Sequence, residues 1–313
     1  MKGVIPAAGL GTRMLPATKS QPKEMLPVAR KPVIQYIVEE LEEAGIRDIL
    51  IITGKNKRAI DDHFDRDPIL LEDLKRRNKY HQVQFLEDLE NLNVQIFYAR
   101  QAVPTGLADA VYKAKEFVCD DEFVVALGDT IIDSSEKPNH LKRLINFHNK
   151  VNAISTLSAE RIPLEHCNRY GVLSVEEYFS EDIDYSNAKY LVNNLIEKPP
   201  IEETPSNLAI CGRYVFKSDI FDFIEQTTIG KGGEKQLTDA IKLSLQKGPV
   251  AAMELAPNEI RYDTGTFPLY AKAFIAMCLK DEEIGAEIRE YLASLQPDKN
   301  STDLPYPLPG ISY

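Results

Sequence analysis

The sequence has no tryptophan, only four cysteines and no long apolar run. No stretch approaches the roughly 18–20 apolar residues that cross a bilayer, and the N-terminus runs straight into glycine and proline rather than a signal-peptide core. The cysteines, Cys119, Cys167, Cys211 and Cys278, form no CxxC pair, which argues against structural zinc and a disulfide framework. We therefore expect free thiols, no membrane association and a cytoplasmic protein.

An excess of basic charge is also missing. The 313 residues include 37 Lys+Arg and 48 Asp+Glu, a formal net charge of −11. Such a balance disfavours a protein that coats nucleic acid or an anionic membrane, although one basic pocket for a small polyanion is compatible with it. With 43% hydrophobic residues, the chain is long and apolar enough to bury a sizeable core.

Strand-like and helix-like patterns alternate in the first half of the chain. Continuous apolar runs predict strands, and each is followed by a segment of helical spacing, with a charged helical stretch over 61–93. Repeated βα units predict an α/β, Rossmann-like fold with a mixed, mostly parallel central sheet flanked by helices. The predicted strands are 2–9, 48–54, 94–99 and 123–129. One predicted helix begins at Pro32, and another spans 105–118.

The second half is richer in strands. Predicted strands cover 151–157, 170–175, 190–197, 209–216 and 250–255, and predicted helices cover 218–226, 238–247 and 267–279. Without an internal repeat or a clean linker, we expect one domain over 1–296, with a first half to about 135, a β-rich half over 136–266 and helices over 267–296. Residues 297–313 form a proline-rich tail.

A glycine-rich loop with basic residues follows the first strand. Gly9 and Gly11 come directly after an apolar run, where open α/β sheets bind ligands, and glycines let backbone amides approach phosphate. A third glycine for a dinucleotide fingerprint is missing, and so is the GK[ST] of a P-loop. Residues 11–31 contain five Lys/Arg and one acid, Glu24. We interpret the segment as an anion site; a tight turn followed by a solvated basic loop is the alternative.

An ordered series of motifs extends over about residues 2–280. It comprises GLGTRMLPATKSQPKEMLPVARKP, ARQAVPTGLADAV, ALGDT, YGV, IEKP, SNLAICGRYVF, EKQLTDAI and YDTGT. The series resembles the sugar-nucleotidyltransferases, in particular the bacterial-type UTP–glucose-1-phosphate uridylyltransferases. The resemblance implies a nucleotide-diphospho-sugar transferase fold, with a nucleotide-binding first half and a smaller β-rich sugar-binding part.

The resemblance implies a set of nucleotide-binding residues. The glycine loop would wrap the triphosphate, with Arg13 on the β,γ-phosphates and Lys23 on the α-phosphate. Glu24 would accept the imide N–H of the base, and Gln101 would read the base edge, unless it merely ends a surface strand. The nucleotide-binding set is Ala8, Gly9, Gly11, Thr12, Arg13, Glu24, Gln101 and Gly106, the last leaving room for the base.

Metal and sugar sites follow from the same resemblance. Asp129 and Asp263 would bind Mg²⁺, which needs only one or two carboxylates besides substrate phosphates and waters. Glu197 would bind sugar hydroxyls, and Lys198 would grip the phosphate of glucose 1-phosphate, so that Arg13, Lys23 and Lys198 form the catalytic set. Gly171 and Gly212 would let backbone approach the hexose. The alternatives are capping aspartates and a surface Glu-Lys ion pair. We interpret Cys211 as a packing residue.

The implied reaction is in-line attack of glucose 1-phosphate on the α-phosphorus of UTP, giving UDP-glucose and pyrophosphate. The forms GLADAV and DTG lean toward thymidylyltransferases, so dTTP or dual UTP/dTTP specificity stays open; Glu24, the 61–93 insertion and SNLAICGRYVF favour UTP. Two rival classes are a nucleotide-sugar-sensing subunit and a dinucleotide oxidoreductase. The first is disfavoured because Lys23 and Asp129 are intact, and the second because the third glycine of the dinucleotide fingerprint is missing. The family leads us to expect a homodimer or homotetramer.

Overall fold

The computed structural model describes residues 1–134, 137–179 and 187–295. The proline-rich tail that the sequence predicts over 297–313 lies outside the described residues. The strands are β1 (Lys2–Pro6), β2 (Pro27–Val28), β3 (Lys31–Pro32), β4 (Asp48–Thr53), β5 (Gln95–Arg100), β6 (Phe123–Ala126), β7 (Thr130–Asp133), β8 (Ser155–Arg161), β9 (Gly171–Glu177), β10 (Lys189–Glu197), β11 (Leu208–Phe216), β12 (Val250–Glu254) and β13 (Ile260–Asp263).

Helices separate most of these strands. They are α1 (Val33–Glu43), α2 (Arg58–Phe64), α3 (Pro68–Arg76), α4 (Tyr80–Glu90), α5 (Leu107–Tyr112), α6 (Lys115–Val118), α7 (His140–Val151), α8 (Ile220–Gln226), α9 (Leu237–Ser244), α10 (Phe267–Lys280) and α11 (Gly285–Ser294). The basic segment after β1 is a series of short 3-10 turns at Thr12–Met14, Ala17–Lys19 and Lys23–Met25. None of the helices in the described parts of the chain is long and apolar enough to cross a membrane.

Nine strands form one mixed sheet in the order β5-β4-β1-β6-β11-β8-β12-β10-β9. Strands β5, β4, β1 and β6 are mutually parallel, as βα units require, and β12 pairs parallel with β8. The pairings β6–β11, β11–β8, β12–β10 and β10–β9 are antiparallel. The prediction of a mostly parallel sheet is therefore wrong beyond β6, where four of the five neighbouring pairs are antiparallel. In the described residues between β8 and β11, only 3-10 turns and no α-helix connect the strands.

Strand alternation places the core on both faces of this sheet. Val4, Ile52 and Val125 pack into one hydrophobic cluster, whereas their neighbours Ile5 and Ile51 pack into another on the opposite face. The second face is covered by α1, which begins after Pro32 and turns the side chains Val33, Ile34, Ile37, Val38 and Leu41 inward. Burial on both faces explains why β1, β4 and β6 are continuous apolar runs, whereas β5 lies at the edge of the sheet and is largely exposed.

Several boundaries differ from the predictions. The strand predicted over 151–157 begins only at Ser155, because α7, which was not predicted, continues to Val151. The helix predicted over 105–118 is divided into α5 and α6. The charged stretch over 61–93 contains the end of α2 and the whole of α3 and α4. The short antiparallel pair β7–β13 was also missed. The prediction of free thiols is confirmed, because all four cysteines are unbridged.

Candidate active site

Two adjoining cavities lie where β1, β5 and β6 end. The larger, of about 470 Å³, is lined by the glycine loop and is called here the glycine-loop cavity. The smaller, of about 180 Å³, is lined by residues of the β-rich half and is called the Glu197 cavity. The two share a wall that consists of Arg13, Leu107, Leu127 and Asp129.

Every residue predicted for the site lines one of these cavities. The glycine-loop cavity holds Ala8, Gly9, Gly11, Thr12, Arg13, Lys23, Glu24, Gln101, Gly106 and Asp129. The Glu197 cavity holds Gly171, Glu197, Lys198, Gly212 and Asp263, together with the shared Arg13 and Asp129. The fold thus brings together residues that are far apart in the sequence, in the two groups that the motifs indicate.

The glycine loop is held by its own backbone. Gly11 adopts a left-handed φ of 66°, and its carbonyl accepts hydrogen bonds from Met14 N at 2.9 Å and from Thr18 Oγ1 at 2.8 Å. Met14 is fully buried and anchors the turn. Because glycine takes positive φ without a Cβ penalty, the sequence permits this tight turn directly beneath the cavity.

Lys23 and Asp129 form an ion pair between the glycine loop and the end of β6. Burial works against the charged lysine, but the carboxylates of Asp129 and Glu24 outweigh it and hold the pKa of Lys23 above its usual range. Burial would likewise raise the pKa of Asp129, yet Lys23 outweighs it and lowers that pKa. Both groups are therefore charged at neutral pH.

Asp129 and Asp263 lie on neighbouring segments. Asp263 pairs with Thr130 in the β7–β13 ladder, and Thr264 donates to the carbonyl of Asp129 from its N–H at 3.0 Å and its hydroxyl at 2.8 Å. Within the described residues, no three His, Cys, Asp or Glu side chains gather into a metal site. Two hard carboxylate donors fit Mg²⁺ that takes its remaining ligands from substrate phosphate and water.

Glu24 is almost completely buried, with 1% of its surface exposed, and its Oε2 lies 2.6 Å from Lys57 Nζ. Burial raises the pKa of Glu24 although Lys57 and Lys23 oppose the shift. Lys57 comes just before α2 and was not predicted as a site residue. Because unpaired buried charge is costly, Lys57 is the countercharge that allows a carboxyl to line this cavity.

Gln101 follows β5 and is fixed on several sides. Its backbone N–H donates to Thr53 O at 2.9 Å, and its Nε2 donates to Gly106 O at 3.1 Å and to Asp109 Oδ2 at 2.8 Å. Gly106 has φ +120°, and a Cβ there would lie 2.4 Å from Lys235 O. The close approach of Lys235 therefore requires glycine at 106 independently of any space that a base needs.

The Glu197 cavity is organised by one carboxylate. Glu197 Oε2 accepts from Thr238 Oγ1 at 2.8 Å, and its Oε1 lies 2.9 Å from Lys198 Nζ. Gly171 pairs with Glu197 across the β9–β10 ladder, and a Cβ on Gly171 would lie 2.8 Å from Thr238 Cγ2. Thr238 lies in the QLTDAI motif, so its sequence signal was present although no role was assigned to it.

The floor of the same cavity contains further groups that the sequence did not assign. Arg261 stacks over the Tyr170 ring at 4.7 Å, and Tyr170 donates its hydroxyl to Asp263 Oδ2 at 3.3 Å. Both residues flank predicted ones in the RYGV and RYDTGT motifs. Burial raises the pKa of Cys211 to about 12, so this thiol is inert and packs as predicted. Gly212 beside it has φ +88°.

The fold and the paired cavities define a class of protein, and comparison with known families identifies it. The chain matches the nucleotidyl transferase family over residues 2–278 and belongs to that family. It is therefore a nucleotidyltransferase, which is the enzyme class that the sequence predicts.

Individual relatives narrow the class further. The chain is 43% identical to UTP–glucose-1-phosphate uridylyltransferase 1 of Staphylococcus saprophyticus, over 94% of this chain and 98% of the relative. A UTP-bound UGPase from Acinetobacter baumannii is 34% identical with a TM-score of 0.85, covering 94% of this chain and 99% of that one. A UDP-glucose pyrophosphorylase complexed with UDP-glucose is 35% identical with a TM-score of 0.79, covering 90% and 99%.

Proposed function

We propose that this chain transfers UMP from UTP to glucose 1-phosphate in the presence of Mg²⁺, giving UDP-glucose and pyrophosphate. The observation that carries the proposal is the junction of the two cavities at Arg13 and Asp129. A nucleoside triphosphate in the glycine-loop cavity and a sugar phosphate in the Glu197 cavity would meet at this wall. Similarity to proteins named for UTP, glucose 1-phosphate and UDP-glucose supports the same pair of substrates.

Catalysis on this proposal is alignment and charge neutralisation. The phosphate oxygen of glucose 1-phosphate is already anionic, so no general base is needed for attack at the α-phosphorus. Lys23, held in its charged form beside Asp129, would stabilise the α-phosphate, and Arg13 would stabilise the departing β,γ-phosphates. Lys198 would hold the attacking sugar phosphate from the other cavity.

Asp129 and Asp263 would hold the metal, which acts as a Lewis acid that stabilises negative charge on the phosphate oxygens when it is bound. In the structure the Asp129 carboxylate contacts Lys23, while Asp263 accepts from Gly265 N at 2.7 Å. Both carboxylates are thus oriented by donors of the protein itself. The side chains that the proposal gives to the metal are therefore already restrained.

Glucose-1-phosphate thymidylyl transfer from dTTP is the alternative. Gln101 and Glu24 would address the edge that uracil and thymine share, so these contacts do not separate the two nucleotides. We favour UTP because of the relatives named above. The test is pyrophosphate release with UTP or dTTP at equal concentration, with glucose 1-phosphate and Mg²⁺. Faster release with UTP is expected; faster release with dTTP would replace the proposal with its alternative.

A further inference from the structure

The orientation of the Gln101 amide is fixed by its partners. Gly106 O and Asp109 Oδ2 both accept from Gln101 Nε2, at 3.1 and 2.8 Å, and only 4% of Gln101 is exposed. A backbone carbonyl and a carboxylate have no hydrogen to donate, so both amide hydrogens are directed to them. The carbonyl oxygen Oε1 is then the polar atom that Gln101 can offer to a ligand in the glycine-loop cavity.

Asp109 is well placed to maintain this orientation. It lies in the first turn of α5, and Lys113, one turn later, lies 3.1 Å from its Oδ1, away from the oxygen that Gln101 uses. Burial opposes the charged form, but hydrogen bonds from Gln101, Thr105 and Lys113 outweigh it and lower the pKa of Asp109. A carboxylate would repel the Gln101 oxygen if the amide were reversed.

We propose that Asp109 is a positioning residue, which holds Gln101 with its carbonyl oxygen toward the glycine-loop cavity and thereby selects nucleobases with an N–H on their reading edge. The inference rests on the proposed nucleotide substrate. Uracil and thymine carry one imide N–H between two carbonyls, and on this inference Gln101 Oε1 accepts it in place of the Glu24 carboxyl that the family resemblance implies, which is paired with Lys57. Cytosine and adenine carry a lone pair at the corresponding ring nitrogen, and two facing acceptors leave both groups without a hydrogen bond.

A purely structural role, in which Asp109 pairs with Lys113 on the surface of α5, is the competing explanation. The two roles differ because only the positioning role changes the preference between bases.

The experiment measures the dissociation constants of UTP and CTP by calorimetry for wild type, Asp109→Leu, Asp109→Asn and the matched control Lys113→Met. In Asp109→Leu we expect the preference for UTP over CTP to fall at least about tenfold, mainly through weaker UTP binding. The amide introduced by Asp109→Asn offers both a donor and an acceptor, so a smaller fall is expected for that variant. Lys113→Met removes the cation paired with Asp109 and should keep the wild-type ratio.

An unchanged UTP-to-CTP ratio in Asp109→Leu overturns the inference, as does an equal fall in Lys113→Met. If thermal unfolding shows that Asp109→Leu does not fold, Asp109→Asn decides by the same criterion. Binding is separate from turnover, so the inference and the proposed function can fail independently. A wild type that binds UTP but makes no UDP-glucose contradicts the function alone, and one that binds no UTP contradicts both.

Discussion

The two cavities are built in different ways, although they share a wall. The glycine-loop cavity takes its basic residues from one short segment after β1, and two of its acids, Glu24 and Asp129, are paired with Lys57 and Lys23. The Glu197 cavity is assembled from β9, β10, β11 and β13, and one carboxylate organises it through Thr238 and Lys198. One cavity therefore takes its cations from a contiguous loop, and the other takes its charged residues from segments that are distant in the sequence.

Because the two cavities differ in this way, substitutions should separate them. Changes at the shared wall, or at Lys23, which is paired with Asp129 of that wall, should affect the reaction itself, and changes elsewhere in either cavity should affect one substrate only. The following variants test this separation in order of decreasing effect.

Lys23→Met should cause the largest loss. It removes the cation proposed for the α-phosphate, and a loss of about 10³-fold in turnover is the scale for removing one preorganised charge. Steady-state pyrophosphate release measures it. Lys19→Met is the matched control, because Lys19 is exposed in the same loop and lines neither cavity. Similar rates in the two variants would refute the role of Lys23.

Glu197→Gln should weaken the sugar side. It removes the negative charge that accepts a hydrogen bond from Thr238 and pairs with Lys198. The loss of a hydrogen bond to a charged group corresponds to a decrease of about 10- to 100-fold in kcat/KM. We expect that loss in kcat/KM for glucose 1-phosphate, with KM for UTP unchanged. Glu202→Gln, an exposed glutamate nearby, should behave as wild type. A rise in the KM of UTP alone would contradict the division between cavities.

Lys57→Met should weaken the binding of UTP and lower the free energy of unfolding. It leaves the Glu24 carboxyl buried without its nearest cation, at a cost of about 3–5 kcal/mol in the free energy of unfolding for a truly buried pair. KM for UTP should rise while KM for glucose 1-phosphate stays constant. Adding Glu24→Gln to this variant should restore stability in urea unfolding. No recovery in the double variant would show that Lys57 acts independently of Glu24.

His148 tests the region away from both cavities. It lies in α7 and shares one hydrogen bond with the Thr156 hydroxyl. Burial lowers the pKa of His148 to about 4 from its ordinary value of 6.5. The unfolded chain therefore binds a proton below about pH 6.5 that the folded chain refuses until about pH 4, so stability falls over this window as pH falls, by about 3 kcal/mol in total.

His148→Phe should remove this part of the pH dependence without changing kcat or either KM at pH 7.5. Urea unfolding of both proteins between pH 7.5 and 4.5 measures the difference. Parallel stability curves for wild type and variant would mean that His148 does not titrate as the structure indicates.

The sequence predicted the strand and the turn of the glycine-loop side because their signals are local. A run of apolar residues and two glycines specify these two elements, and the nearby cations belong to the same short segment. Lys57 was missed because its partner Glu24 is 33 positions away and only the fold joins them. The antiparallel pairings were missed for the same reason, since strand direction depends on partners such as β6 and β11 that are distant in sequence.

The order of the motifs predicted which residues line the Glu197 cavity, but not the contacts that hold them. Glu197 and Lys198 were predicted, but the dependence of Glu197 on Thr238, and of Asp263 on Tyr170, comes from β9, β10 and β13 meeting in space. Gly106 shows the limit most clearly. Its sequence suggested room for a base, whereas the structure adds a backbone contact with Lys235 that no local pattern encodes.

On the proposed function, both substrates are bound together and react directly across the wall at Arg13 and Asp129. The stereochemistry at the α-phosphorus tests this direct transfer, using UTP with one sulfur at that phosphorus and glucose 1-phosphate as acceptor. A single in-line displacement predicts UDP-glucose with inverted configuration at that phosphorus. Retained configuration would mean two displacements through a nucleotidyl–enzyme intermediate, and would rule out direct transfer between the two bound substrates.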